Sequence, residues 1–354
     1  MSLADKLLKN SKIKGTSMIK DSEVFGKKES VVTNVPMINV ALSGKVSGGL
    51  LPGMLMLAGP SKHFKTAFAL IMAAAFQKQY PDGYILFYDS EFGSPETYFQ
   101  SFGIDMDRVI HSPLENIEEF KFDIANQLKE IVKGDKLLIL VDSVGNLASK
   151  KEVEDAIDEK AVADMTRAKQ LKSLFRIITP HLNLKDIPMV VINHTYKTLE
   201  MYAKDVVSGG TGGYYSADAI WIIGRRQDKD TATKEITGYD FIINIEKSRH
   251  VREGSKIPIS VSFSGGVKKW SGLFDLALAL GYIHKPKQGW YNKVNGDTGE
   301  ITDEKNYRKA ELEEDAEYWK YLLTETEFPK KINEAYTLSN EGVKLFDDSV
   351  IEYE

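Results

Sequence analysis

Residues 58 to 68 read AGPSKHFKTAF. The pattern Gly59-x-x-x-x-Phe64-Lys65-Thr66 departs at one position from G-x-x-x-x-G-K-[ST], the loop whose backbone amides cradle phosphates. The run before it, MLMLA (54–58), is apolar like a buried strand, and the run from Lys65 to residue 78 favours helix without a break. Strand, turn and helix in that order let loop amides and a helix N-terminus converge on an anion. Gly59, Pro60, Ser61, Lys62, His63, Phe64, Lys65, Thr66 and Ala67 would then surround the phosphates. Lys65 would reach the terminal phosphates of a nucleotide, and the Thr66 hydroxyl would meet Mg²⁺. The replaced glycine normally lets the backbone pass close under the phosphates. Phe64 is therefore expected at negative φ with its ring turned out of the pocket.

Outward from this loop, short apolar runs alternate with helical stretches. Strands are expected at 54–58, 84–89, 137–142, 188–193, 219–224, 241–246 and 256–263, and helices at 65–78, 95–102, 117–132 and 153–178. The first four strands are near-continuously apolar, as parallel strands covered on both faces should be. The last two are joined by RHVREGS, too short for a crossover helix, and should pair antiparallel at one edge. The expected fold class is α/β, a mostly parallel sheet extended by antiparallel edge strands. The division expected is an N-terminal helix and linker over 1–30, a core over 31–290 and an acidic, loosely packed helical region over 291–354.

The chain has 354 residues, 42% hydrophobic and 27% charged, enough for a substantial core. It has no cysteine, which excludes disulfides and thiolate metal sites and fits a reducing compartment. MSLADKLLKNSKIKG lacks the apolar stretch of a signal peptide, and the longest apolar run, AFALIMAAAF (67–76), is too short to span a bilayer. A soluble, cytoplasmic protein without membrane contact is expected. The net charge of −5 conceals an asymmetry: residues 297–354 carry 17 acidic and 7 basic residues, leaving 34 acidic and 39 basic in the remainder. A basic body suits nucleic acid, and an acidic tail could compete for the same surface; a solvated acidic surface is the plainer alternative.

Three further strand ends carry chemistry. LLILVDS ends at Asp142, placed to hold Mg²⁺ through water beside the phosphate loop. YDSEFG puts Glu91 just beyond a strand, at the edge where α/β sheets bind ligands, to polarise an attacking water; a surface acid in a turn is the alternative. VVINHT ends in Asn193 and His194, where a polar side chain could bond a terminal phosphate and shift on its loss, or be merely structural. The two dozen residues that follow are rich in Gly, Tyr and Lys. Lys197 and Lys204 among tyrosines suit single-stranded nucleic acid, and Gly209 and Gly210 lead into a helix whose amides could take a phosphate. A disordered surface loop is the competing reading.

These stretches, in this order, resemble the RecA-type recombinases, and most closely those of T-even-type bacteriophages. The resemblance is carried by VPMINVALSG, GGLLPGMLMLAGPSKHFKT, LFYDSEFG, VDSVGNLASKKEVEDAIDEK, DMTRAK, LKSLFRI, VINHTY, GGTG and EKSR, and covers residues 30 to 290. It implies a RecA-like ATPase core in which Lys65 and Thr66 bind ATP and Mg²⁺, Glu91 activates water, Asp142 supports the metal and Tyr98 stacks on adenine. It also implies DNA-binding loops near 146–165 and 195–211, with Arg167 contacting DNA, and Lys247 and Arg249 presented to a neighbouring protomer's γ-phosphate. Phe64 and His194 replace the Gly and Gln of RecA itself.

The expected function is a DNA-dependent ATPase that polymerises on single-stranded DNA and pairs it with duplex DNA. Its partners would be both forms of DNA, further copies of itself, a single-strand-binding protein and a recombination mediator. The N-terminal segment would dock on the adjacent protomer through Val24 and Phe25. A ring helicase of the same fold would use the same ATP site; the lack of a sizeable separate N-terminal domain argues against it. A non-hydrolysing filament or mediator protein is disfavoured by intact Lys65, Thr66, Glu91 and Asp142.

Overall fold

Alternating residues of the central strands feed two separate cores, and that alternation builds the molecule. The computed structural model describes residues 1–158, 166–198, 205–230, 233–303 and 305–338. Helix α1 (Leu3–Asn10) starts at a capping box between Ser2 and Asp5 and buries none of its residues. Helix α2 (Pro36–Ser43) is buried throughout and stops at Gly44. There follow β1 (Gly53–Ala58), α3 (Lys65–Gln79), β2 (Tyr84–Asp89), α4 (Glu96–Ser101), β3 (Val109–Pro113), α5 (Ile117–Glu130), β4 (Leu137–Asp142), α6 (Lys150–Ile157), α7 (Thr166–Lys185) and β5 (Pro188–Asn193). The short pair β6 (Thr195–Lys197) and β7 (Asp205–Val207) precedes α8 (Thr211–Ser216), β8 (Ala219–Lys229), β9 (Ile236–Ser248), β10 (Lys256–Ser262) and β11 (Gly266–Val267). Last come α9 (Leu273–Ala279), β12 (Ile283–Lys287), β13 (Trp290–Asn295), β14 (Glu300–Ile301), α10 (Lys309–Glu313), α11 (Ala316–Glu325) and α12 (Phe328–Tyr336).

The main sheet has nine strands in the order β11-β10-β9-β8-β1-β5-β4-β2-β3. From β3 to β8 every pairing is parallel, and β8, β9, β10 and β11 continue antiparallel. Leu55 and Leu57 of β1, Phe87 of β2 and Leu140 of β4 enter the core beneath α3. Met54, Met56, Tyr88 and Val141 enter the opposite core, beneath α5 and α7. Period-two alternation with both faces covered is why these strands read as unbroken apolar runs. Parallel register then brings the strand ends together: Asp89 lies opposite Asp142, and Asn193 opposite Ala58.

Several expectations need correction. The single helix expected over 153–178 is two helices, α6 starting at Lys150 and α7 running to Lys185 through Pro180. Strands β3, β6, β7 and β11–β14 fall outside the expected set; all are short and most are largely exposed, while β13 buries only Asn292 and Val294, so none shows an apolar run. Residue 290 is the first residue of β13, where Trp290 pairs with Lys287 of β12. The acidic region is not loosely packed. Trp319 and Leu322 of α11 and Phe328 and Ile332 of α12 are fully buried in the core shared with β1, and the Trp319 indole donates to the Leu312 carbonyl at 2.8 Å. Truncating Trp319 to Ala should cost about 3–5 kcal/mol, read as a lower urea midpoint for the whole chain; an unchanged midpoint would make this region an independent appendage.

The segment after α1 runs along the body through ion pairs Glu23–Lys133 (3.0 Å), Glu29–Lys136 (3.1 Å) and Lys28–Asp186. Val24 and Phe25, the expected anchors, are 42% and 74% exposed. Among the described residues no helix is long and apolar enough to cross a membrane.

Candidate functional site

The loop from Gly59 to Phe64 leaves β1 and turns directly into α3. Lys65 opens the helix, is 7% exposed, and donates through Nζ to the loop's own carbonyls, Gly59 at 3.0 Å and Pro60 at 2.8 Å. Burial pushes its pKa down, while Glu91 and Asp142 push it back up, so two carboxylates face this ammonium. Thr66 Oγ1 donates to Asp142 Oδ2 at 2.7 Å. Asp142 Oδ1 is buried and accepts no hydrogen bond. Burial, aided by the charges of Glu91 and Asp89 and opposed by the Thr66 bond, raises the Asp142 pKa to about 6. An unpartnered carboxylate oxygen beside a hydroxyl is a donor set for a hard cation that keeps most of its water. No cluster of three His, Asp or Glu is present among the described residues, so such an ion would draw its other ligands from water and phosphate oxygens.

Phe64 does not behave as expected. Its φ is +61°, in the left-handed region, and Lys62 shares that value. A left-handed L-residue costs about 1–2 kcal/mol, which is why glycine is usual here. The Phe64 ring does leave the phosphate side of the loop: it stacks on Phe241 of β9 with centroids 4.7 Å apart and meets Phe68 edge-on at 5.3 Å.

Glu91 sits in the turn after β2. That turn is set by Asp89, whose Oδ1 accepts from the amides of Glu91 at 3.0 Å and Phe92 at 2.9 Å. Glu91 Oε1 accepts from Ser143 Oγ at 2.7 Å and lies 3.0 Å from His194 Nε2. Ser143 and Asp89 were assigned no role from sequence; the available signal was their position in VDS and YDSE, beside carboxylates already singled out. A cavity of about 390 Å³ is bounded by the loop from Ser61 to Ala67 and by Glu91, Tyr98, Asp142 and His194. Tyr98 is half-buried, its pKa raised by burial and then by Asp142, and it is positioned to offer a ring face or edge to a base.

The remaining expected residues that are described lie outside this cavity. Arg167 turns inward: Nε donates to Leu147 O at 2.8 Å, and Nη2 to Val144 O at 2.9 Å and Gly145 O at 2.8 Å. It thereby grips the chain leaving β4. Lys197 is exposed on β6, while Lys204 and residues 159–165 of the expected first loop lie outside the described residues. Gly209 and Gly210 have φ of +89° and +78°, a backbone conformation that favours glycine at both positions. Asn193 ties this segment to the site, donating to Ser208 O at 3.0 Å and accepting from Ser208 Oγ at 2.8 Å. Lys247 donates to the carbonyls of Tyr214 (2.8 Å) and Tyr215 (3.3 Å), and Arg249, one residue beyond β9, pairs with Asp218 at 2.6 Å. Arg249 nonetheless remains 66% exposed.

Sequence comparison places the chain among known proteins. Residues 6–268 match the family described as RecA N-terminal domain, and residues 270–332 match one described as the C-terminal domain of the bacteriophage T4 recombination and repair protein. The chain is 48% identical over 355 residues to the recombination and repair protein of Enterobacteria phage T4, covering 99% of this chain and 90% of that one. It is 26% identical over 260 residues to protein RecA of Caulobacter vibrioides, covering 73% and 70%. Protein RecA of Mesomycoplasma hyopneumoniae is 26% identical over 276 residues, covering 76% and 78%.

Proposed function

The chain belongs to the RecA family of recombinases, and on that premise we propose that it is a DNA-dependent ATPase that polymerises on single-stranded DNA and catalyses homologous pairing and strand exchange. The observation that carries the reading is the buried, unpartnered Asp142 Oδ1 beside Thr66 and opposite Glu91. A buried carboxylate oxygen left without a donor is costly unless a cation takes it.

Bound ATP and Mg²⁺ supply the transferable phosphoryl group and the charge that activates it. Lys65 exchanges its two carbonyl partners for phosphate oxygens, gaining charge-assisted bonds in a buried setting. Thr66 and Asp142 hold the metal side of the cavity. Glu91 would take the proton of the attacking water on its carboxylate, with Ser143 and His194 holding Oε1 in place. Because His194 follows Asn193, which is bonded to Ser208, a change at the γ-phosphate has a short covalent and hydrogen-bonded route to the base of the second DNA loop.

Lys247 and the exposed Arg249 would serve the ATP site of a neighbouring copy, so that ATP joins protomers and hydrolysis loosens both the joint and the grip on DNA. Exposed Val24 and Phe25 support docking of the N-terminal segment on an adjacent copy. The two loops, with Lys197, Lys204, Gly209 and Gly210, would hold DNA chiefly by its phosphates, and affinity should fall steeply with salt. Arg167 would act there by bracing the first loop as well as by contact. A single-strand-binding protein and a mediator are the expected partners, and the host-cell cytoplasm the expected location.

Lys65→Ala tests the reading. DNA-stimulated phosphate release should fall by about 10²–10³-fold, as when one preorganised donor to a charged transition state is removed, while nucleotide-free DNA binding persists. Strand exchange with ATP should fail in parallel. Unchanged phosphate release would remove the ATP site from this cavity.

A further inference from the structure

Two residues of the phosphate loop, Lys62 and Phe64, hold left-handed backbone conformations that L-residues disfavour, and Phe64 has no side-chain capping bond at the start of α3. Their support comes from β8 and β9, strands that contribute no residue to the wall of the cavity. It acts at two points. Arg225 of β8 donates through Nη1 to the Lys62 carbonyl at 3.2 Å, its guanidinium lying over Tyr239 at 4.8 Å. Phe241 of β9, itself buried, stacks on Phe64 at an interplanar angle of 17°. Arg225 and Phe241 face each other in the β8–β9 ladder, so a single cross-strand pair supplies both supports.

We propose that the β8–β9 pair is a buttress for the phosphate loop and that Phe241 is the positioning residue that makes phenylalanine workable at position 64. The proposal rests on the nucleotide-binding reading above. The physical reason is local. Without the stack, Phe64 can relax toward negative φ, and the amides and side chains of Lys65 and Thr66 turn with it, because Phe64 is the N-cap of their helix. Glycine at position 64 adopts positive φ unaided and would not need the support. The buttress should therefore matter for binding, should leave Glu91 chemistry alone, and should matter only while Phe64 is present.

A double-mutant cycle with Phe241→Leu and Phe64→Gly tests this, because leucine keeps the core apolar and the chain foldable. Binding of a fluorescent, slowly hydrolysed ATP analogue with Mg²⁺ should weaken about threefold to tenfold in Phe241→Leu, the scale of an aromatic pair. In the Phe64→Gly background the same change should shift affinity by less than about twofold, the scatter of independent sites. Phe64→Gly alone should bind at least as tightly as the parent chain, because glycine takes positive φ without strain. Urea unfolding of the nucleotide-free proteins should show the two substitutions to be non-additive by a similar factor in the unfolding constant. Equal weakening in both backgrounds, or none in either, overturns the buttress and leaves the ATPase reading intact. A parent chain that binds no analogue overturns both.

Discussion

Glu91→Gln is expected to lower DNA-stimulated ATP turnover by about 10²–10⁴-fold, the range for loss of a positioned general base. Glutamine has the same shape, and with its carbonyl oxygen in place of Oε1 it can still accept from Ser143 and His194, which approach that atom at 2.7 and 3.0 Å. The amide cannot take a proton. Nucleotide affinity should therefore change little, and the loss should fall on the maximal rate. If hydrolysis is what loosens the filament, the variant should also stay on single-stranded DNA longer than the parent chain. Phosphate release, analogue binding and dissociation from DNA read the three consequences separately. Turnover near the parent value would transfer the role of base to another group, and Asp89 would be next to test, since it is already held between two amides and His111.

Asp142→Asn should have opposite effects on activity and on metal-free stability. The carboxyl of Asp142 has a pKa of about 6 in the fold against an ordinary 3.8, so the native state holds its proton more tightly than the unfolded chain does. Metal-free stability therefore falls as pH rises from about 4 to about 6 and is flat above. Asparagine removes that dependence. In EDTA at pH 7 the variant should be more stable by on the order of 2–3 kcal/mol, and at pH 4 the difference should vanish. Magnesium should raise the stability of the parent chain near neutral pH and leave the variant unaffected, and Mg²⁺-dependent hydrolysis should be lost in the variant. Urea midpoints across pH, with and without Mg²⁺, check the sign. A variant less stable than its parent at pH 7 would mean that Asp142 is held as a structural anion by Thr66 and Lys65.

Much of this architecture was legible because it is written in short-range patterns. The four apolar runs at 54–58, 84–89, 137–142 and 188–193 became the parallel strands, and the link RHVREGS gave the antiparallel turn between β9 and β10. Each depends on neighbours within a strand or a turn. The strand ends converge because parallel register leaves them no alternative once the order of strands is known, so Lys65, Thr66, Glu91, Asp142 and His194 could be grouped before any distance was measured. The strands β3 and β12–β14 were not legible: β3, β12 and β14 are mostly exposed, and β13 buries only Asn292 and Val294, too few apolar positions to carry a periodic signal.

By itself, then, the sequence determined the strand–loop–helix around Lys65 and the α/β class, because local backbone preference and apolar periodicity suffice for these. Only the tertiary structure decided how those parts are held. Phe64 takes positive φ against its own preference because Phe241, far along the chain, stacks on its ring. Glu91 is oriented by Ser143 and His194 from two other strands. Arg167 faces inward because three carbonyls of the chain leaving β4 offer it better partners than water does. The acidic C-terminal helices bury Trp319 and Phe328 against the same core as β1. In each case the deciding energy is a contact between residues distant in sequence, and no window of neighbouring residues contains both partners.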